Sequence, residues 1–192
     1  MSKASDDELL KAVGAALHIW SLVEIELAFF FANLLDLDDH EKGHAIFGAI
    51  ISFETRLAVC DRIVAMHELQ PDEAEIWSKL SRRLSKFYKK RHELAHFTLD
   101  FERDDKSVIR PFFTTANWAL DNPRHLDAKQ IRDRTKAFYE LRLALVWFRD
   151  VIVRSRMPLQ APHLPPLEEP ALVTRLRELV AQNLEEHAKP RQ

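Results

Sequence analysis

The sequence has few of the residues on which disulfide-bonded, strand-rich or strongly basic proteins depend. Its one cysteine, Cys60, allows no intramolecular disulfide and no zinc site built from cysteines. Its three glycines are fewer than the turns of a strand-rich fold usually need, which favours helices. The formal net charge is -2, so no overall positive field marks a nucleic-acid-binding protein, and any such site must be local.

Signals for secretion and membrane insertion are weak. The N-terminal stretch MSKASDDELLK lacks the apolar core of a signal peptide. The most apolar run, around IELAFFFANLL, is interrupted by Glu24, just before these letters, and by Glu26, and is too short to span a bilayer. We therefore expect a cytoplasmic protein with no membrane partner.

Four segments have apolar residues at alternating spacings of three and four, which is the pattern of amphipathic helices. They predict helices at about residues 5–35, 39–69, 72–96 and 127–154. Between the last two, Phe97, Leu99 and Phe101 alternate with polar residues, and a RDDK turn and SVIRPFF follow, which predicts a short β-hairpin. Long helices with short connections predict an all-α fold, an antiparallel up-and-down four-helix bundle.

The C-terminal part of the sequence differs in composition from the predicted bundle. The stretch MPLQAPHLPPLEEP holds five of the nine prolines and predicts a stiff connector. The amphipathic helix after it cannot bury its apolar face alone, so it packs either on its own bundle or on a partner, including a second protomer. We expect a bundle at residues 1–156, a linker at 157–170 and a helical arm at 171–192.

Two charged residues occupy the apolar faces of predicted helices, Glu24 on the first and Arg91 on the third. Because a buried charge is costly unless it is paired, we expect these two side chains to form an ion pair. The alternative is that each reaches solvent at the edge of the bundle.

The end of the third helix carries a strip of aromatic and imidazole side chains. At about 100° per residue, Tyr88, His92 and His96 share one flank of the helix, beside Lys89. Glu93 is expected to point away from this strip, toward solvent.

The letters HELAH, from His92 to His96, spell the H-E-x-x-H signature of zinc peptidases, in which two histidines bind zinc and the glutamate acts on its water. The signature occurs again as HEKGH, from His40 to His44. The letters KKR directly before His92 would repel a dication, and a third downstream ligand is lacking. A zinc hydrolase is therefore the third interpretation.

A different motif begins one residue earlier, where Arg91, His92 and His96 form an Arg-His-x-x-x-His pattern late in the third helix. This resembles the HEPN superfamily (higher eukaryotes and prokaryotes nucleotide-binding domains) over roughly residues 8–155. Trp20 and Glu24 on the first helix are similar to residues often found there in such domains. Arg62 and His67 have the same spacing without that context.

The resemblance implies a metal-independent endoribonuclease of the toxin or phage-defence kind, without cofactor or metal. It also implies a homodimer in which two such segments form one composite site, with RNA as substrate and an antitoxin or defence protein as a possible partner. The predicted roles belong to one set of residues: Arg91, His96 and His92 in catalysis, Glu24 orienting Arg91, Tyr88 or Phe97 stacking a base, and Lys89 and Lys90 binding phosphates. The second interpretation is a non-catalytic dimeric interaction module of the same fold.

Overall fold

The computed structural model describes residues 3–37, 39–101, 107–111, 124–156 and 168–188. Its helices are α1 (Lys3–Leu34), α2 (His40–Ala49), α3 (Phe53–Val64), α4 (Pro71–His96), α5 (Ala128–Arg156) and α6 (Ala171–Ala188). Its strands are β1 (Phe97–Phe101), β2 (Ser107–Pro111) and β3 (Arg124–His125). Helices dominate the described residues, which confirms the all-α prediction.

The helix predicted at residues 39–69 is wrong as a single element, because the chain leaves the helical conformation at residues 50–52. Ser52 has an extended backbone, and its side chain accepts a hydrogen bond from the Thr55 amide, so it caps α3. Ile50 is also extended, and its carbonyl accepts a hydrogen bond of 2.7 Å from Arg56 Nε. The Ser52 cap and this bond each satisfy a backbone group that the break leaves without a helical partner.

Helix α2 begins at a cap and lies very close to α1. The Asp39 side chain accepts hydrogen bonds from the amides of Glu41 and Lys42. Bonds from the Lys42 side chain and amide lower the pKa of Asp39 from its ordinary value. At Gly43, an added Cβ would lie 2.5 Å from the Ala32 Cβ, so only glycine allows this approach of the two helices.

Three strands lie between α4 and α5, in the order β1-β2-β3. β1 and β2 are antiparallel, with Phe97 opposite Pro111 and Leu99 opposite Ile109. β3 is antiparallel to β2 and was not predicted. Residues 102–106, which would form the hairpin turn, lie outside the described residues, so the β-hairpin as a whole stays a prediction.

Contacts divide the chain into two compact units. The first unit consists of Met1–Leu22 and Lys86–Tyr139. Its buried aromatic rings come from three helices: the Trp20 and Phe138 centroids are 5.0 Å apart, and those of Phe87 and Phe138 are 5.8 Å apart. These rings tie α1, α4 and α5 together within the first unit.

The second unit consists of Val23–Ser85 and Glu140–Gln192. Its aromatic core contains Phe30 and Trp77, whose ring centroids are 4.6 Å apart, with Phe148 5.3 Å from Trp77. α6 also belongs to this unit.

The buried apolar side chains of α6 are those of Leu172, Val173, Leu176 and Val180. On the polar side of the helix, Arg177 forms ion pairs with Glu169 and Asp72. The sequence had left open whether this helix packs on its own chain or on a partner, and here it packs on its own chain. Residues 157–167 of the predicted linker lie outside the described residues, so the predicted domain boundaries stay predictions.

The second unit also holds a buried charge that the sequence analysis did not single out. Glu26 is 9% exposed, and its two carboxylate oxygens accept hydrogen bonds from two arginines of α5. Arg142 donates to Oε1 through Nε and Nη2, at 3.3 and 3.2 Å. Arg149 Nη1 donates to Oε2 at 3.1 Å. Paired in this way, the carboxylate is satisfied despite its burial.

Among the described residues, one helical stretch, Asp7–Leu34, is long and apolar enough to cross a membrane. About half of its most apolar window is buried inside the structure, and the core helix of a soluble protein has the same character. A cytoplasmic location therefore stays a prediction.

Candidate functional site

Helix α4 places the predicted catalytic residues in its last two turns. It starts at Pro71, with Asp72 and Glu73 in its first turn, and it ends at His96, where the chain continues directly into β1. The predicted site therefore lies at the junction between a long helix and a strand. Phe97 is the first residue of β1, and its side chain lies outside the described residues.

Tyr88, His92 and His96 form a continuous row on one side of α4, which we term the histidine flank. The His92 and His96 ring centroids are 4.3 Å apart, and those of Tyr88 and His92 are 6.4 Å apart. Both histidines are exposed, whereas Tyr88 is half-buried with its ring centroid 6.2 Å from that of Trp20. The packed tyrosine holds one end of the row, and the two imidazoles remain open to solvent.

Arg91 lies next to the histidine flank and is half-buried. Its Nε is buried and has no hydrogen-bond partner among the described residues. An N–H group without a partner is costly in the interior, so Arg91 lacks at this atom the hydrogen bond that would stabilise its buried position. Glu24 belongs to the second unit, where its carboxylate lies 3.9 Å from Arg56 Nη1. The predicted pairing of Glu24 with Arg91 stays a prediction.

Two other residues of α4 lie in surroundings different from those predicted for them. Glu93 was predicted to face solvent, and this prediction is wrong. Its carboxylate accepts a hydrogen bond of 3.0 Å from Arg134 Nη1 of α5. The two side chains are only 15% and 12% exposed. Lys90 Nζ lies 4.6 Å from the centre of the Phe87 ring, also away from the histidine flank. Of the three cations before His92, Lys89 is exposed, whereas Lys90 and Arg91 are half-buried.

These positions bear directly on the zinc interpretation. A zinc peptidase of this kind needs its glutamate free to act on the metal-bound water, but Glu93 is committed to Arg134. Among the described residues, no group of three or more histidine, cysteine, aspartate or glutamate side chains is placed to hold one metal ion. The HELAH sequence therefore offers two ligands and no available base.

The other copies of the two motifs lie in different settings. In HEKGH, the rings of His40 and His44 both approach Phe29, at 5.9 and 4.5 Å, and Nε2 of His44 is buried. Helix α3 ends at Val64, so His67 does not share a helix with Arg62. Nε2 of His67 instead lies 3.0 Å from the Leu34 carbonyl oxygen. Only the copy on α4 presents two exposed imidazoles side by side.

Sequence reasoning missed a polar cluster and cavity in the second unit. Both carboxylate oxygens of Asp61 accept hydrogen bonds, from Trp77 Nε1 at 2.9 Å and from Ser81 Oγ at 3.0 Å. These residues, with His67, line a cavity of about 440 Å³. The partners lie 16 and 20 positions from Asp61, and no spacing rule links them.

No family model, curated protein or solved structure matches this chain.

Proposed function

We propose that this protein is a metal-independent endoribonuclease whose catalytic groups are Arg91, His92 and His96. The observation that carries the proposal is the pair of exposed imidazoles, 4.3 Å apart, beside a guanidinium whose buried Nε has no partner among the described residues. Imidazole can gain or lose a proton near neutral pH, and a guanidinium keeps its positive charge. Together these groups supply what RNA cleavage by its own 2′-hydroxyl requires.

In the proposed reaction, one histidine removes the proton of the 2′-hydroxyl, and the freed oxygen forms a bond to the adjacent phosphorus. The bond from phosphorus to the 5′-oxygen breaks, and a second histidine donates a proton to that leaving oxygen. The products are a 2′,3′-cyclic phosphate and a 5′-hydroxyl. Arg91 donates hydrogen bonds to the phosphoryl oxygens while negative charge builds up on them.

Other residues have supporting roles in this proposal. Tyr88 offers an aromatic surface for a base at one end of the histidine flank, and Phe97 follows His96 at the other end. Exposed Lys89 attracts phosphates. Lys90 lies on the opposite side of α4, so its predicted phosphate contact would be separate from the flank.

The quaternary structure and the full topology are parts of the same proposal. The resemblance to HEPN domains implies an up-and-down four-helix bundle with a β-hairpin before its last long helix. It further implies a homodimer in which the segments of two protomers form one cleft. Two copies of Arg91 and Lys89 in that cleft would give the local positive charge that a net charge of -2 does not supply.

The test is incubation of purified protein with RNA in the presence of EDTA. We expect cleavage that survives chelation and leaves cyclic phosphate ends. Arg91→Ala and His96→Ala should each reduce the rate by about 10²-fold or more, which is the usual contribution of a proton-transferring or charge-stabilising group. His18→Ala is the matched control, because His18 is an exposed histidine on α1.

Two results would contradict the proposal in different ways. Cleavage that EDTA abolishes would favour a zinc hydrolase. Intact RNA in every reaction, with a stable dimer in solution, would favour the non-catalytic interaction module.

A further inference from the structure

We propose that the histidine flank is also a binding site for Zn²⁺ or a similar transition-metal ion, and that this ion inhibits the protein instead of serving its chemistry. The binding part of the inference stands on the geometry of α4. The inhibitory part rests on the proposed ribonuclease function.

The two imidazoles are arranged as a chelating pair. His92 and His96 are four residues apart on a helix, so their side chains lie one above the other, one turn apart. Their ring centroids are 4.3 Å apart with the planes inclined by 44°. Zinc binds imidazole nitrogens at about 2.0–2.1 Å, and two rings this close together can share one ion. Both rings are exposed, so a metal ion reaches them without opening the fold.

The charges around the pair are less repulsive than the letters KKR suggest. Lys90 Nζ lies over the Phe87 ring on the opposite side of the helix. Arg91 is half-buried next to the flank and keeps its positive charge, so it opposes a bound dication and lowers the affinity expected for the site. Lys89 is the exposed cation that remains near the flank, and an exposed charge in water repels a dication only weakly.

The same geometry explains why the bound ion would not catalyse hydrolysis. Metal-assisted hydrolysis of the H-E-x-x-H type needs a glutamate that takes a proton from the metal-bound water. Glu93 instead forms a 3.0 Å ion pair with Arg134 and is 15% exposed. An ion held by His92 and His96 therefore lacks its base.

A bound metal ion would stop the proposed reaction, because it uses the nitrogen lone pairs that proton transfer requires. A ring nitrogen that donates its lone pair to a metal ion can neither accept nor deliver a proton. Because the ion occupies one nitrogen on each ring, both proposed proton-transfer groups are removed at once. Zinc would then act as a reversible inhibitor of RNA cleavage, and EDTA would restore the rate.

The experiment has two arms, and both use the full chain. In the first, Zn²⁺ is titrated into the protein by calorimetry, with Mg²⁺ as the comparison ion, since Mg²⁺ prefers oxygen ligands. We expect binding of Zn²⁺ but not of Mg²⁺. His92→Ala and His96→Ala should each weaken Zn²⁺ binding by at least about tenfold, because the loss of even an outer-shell partner costs that much. His18→Ala and His40→Ala, which remove exposed histidines elsewhere, should leave it unchanged.

In the second arm, RNA cleavage by the unsubstituted protein is followed as Zn²⁺ is added and then chelated. Loss of cleavage over the range of the calorimetric titration, with recovery in EDTA, is the expected result. Zinc affinity that is the same in the His92 and His96 variants would overturn the metal site. Cleavage that continues with the site saturated would overturn the inhibition.

Failure of the proposed function remains distinguishable from failure of this inference. If no cleavage occurs without metal, the ribonuclease proposal fails, while the calorimetric arm still decides the metal site. Cleavage that appears only when zinc is added would overturn both proposals.

Discussion

Replacement of Gly43 by alanine tests the close approach of α2 to α1. The new Cβ would lie 2.5 Å from the Ala32 Cβ and 3.2 Å from the Ala32 Cα. Since carbon atoms are in favourable contact at about 3.5–4.0 Å, the helices would have to separate by roughly 1 Å. Overpacking of this kind costs about 1–3 kcal/mol, and the gain of alanine over glycine in a helix offsets about 0.5–1 kcal/mol of it. We expect a net loss of about 1–2 kcal/mol.

The controls for this prediction come from the other two glycines. An added Cβ meets nothing within 4 Å at Gly14 or Gly48. Gly14→Ala, in the middle of α1, should stabilise the protein by about 0.5–1 kcal/mol, and Gly48→Ala, near the end of α2, by less. Urea unfolding followed by circular dichroism measures all three. If Gly43→Ala proves as stable as Gly14→Ala, the inferred packing of α2 on α1 is wrong.

Two further predictions concern buried groups of the second unit. Glu26→Ala leaves Arg142 and Arg149 without their shared acceptor and should lower the free energy of unfolding in urea by about 2–3 kcal/mol; the loss is not larger because both arginines are about a third exposed. Glu8→Ala is the control: it breaks an exposed ion pair and should cost less than about 1 kcal/mol. Equal losses in the two variants would refute the claim that burial makes the Glu26 pairs stronger. Burial of the Cys60 thiol, and to a smaller extent the nearby charge of Asp61, raises its pKa from 9.0 to about 12. The stability that this thiol contributes is therefore complete below pH 9 and is lost as the pH rises toward 12. Unfolding curves at pH 8 and pH 10.5 should therefore differ more for the unsubstituted protein than for Cys60→Ala, and an equal difference would contradict the raised pKa.

The sequence predicted the long helices well because their apolar period is sustained. α1, α4 and α5 repeat apolar residues over many turns, and that repeat needs no knowledge of the rest of the chain. The break between α2 and α3 escaped prediction because Ile50 and Phe53 keep the apolar period while the backbone leaves the helix. The break is accompanied by the Ser52 cap and by a hydrogen bond from Arg56 to the Ile50 carbonyl, and periodicity does not report such bonds.

In the candidate site, features set by one helix were predictable from the sequence, and features set by contacts between distant residues were not. The alignment of Tyr88, His92 and His96 follows from helix geometry, and the structure has it. The pairing of Glu93 with Arg134 joins residues 41 positions apart, on two helices whose relative rotation is set by packing. No pattern near Glu93 distinguishes a solvated glutamate from one that faces an arginine.

The shortness of α2 and α3 has a consequence for how the second unit opens. They contain 10 and 12 residues, and isolated helices shorter than about 12–15 residues are marginal in water. Their amide hydrogens stay protected from exchange only while Phe47, Phe53 and Leu57 remain packed against neighbouring helices. When these side chains separate from the core, both helices lose their structure with them. Residues 40–64 are therefore expected to exchange as one group, through an opening smaller than global unfolding.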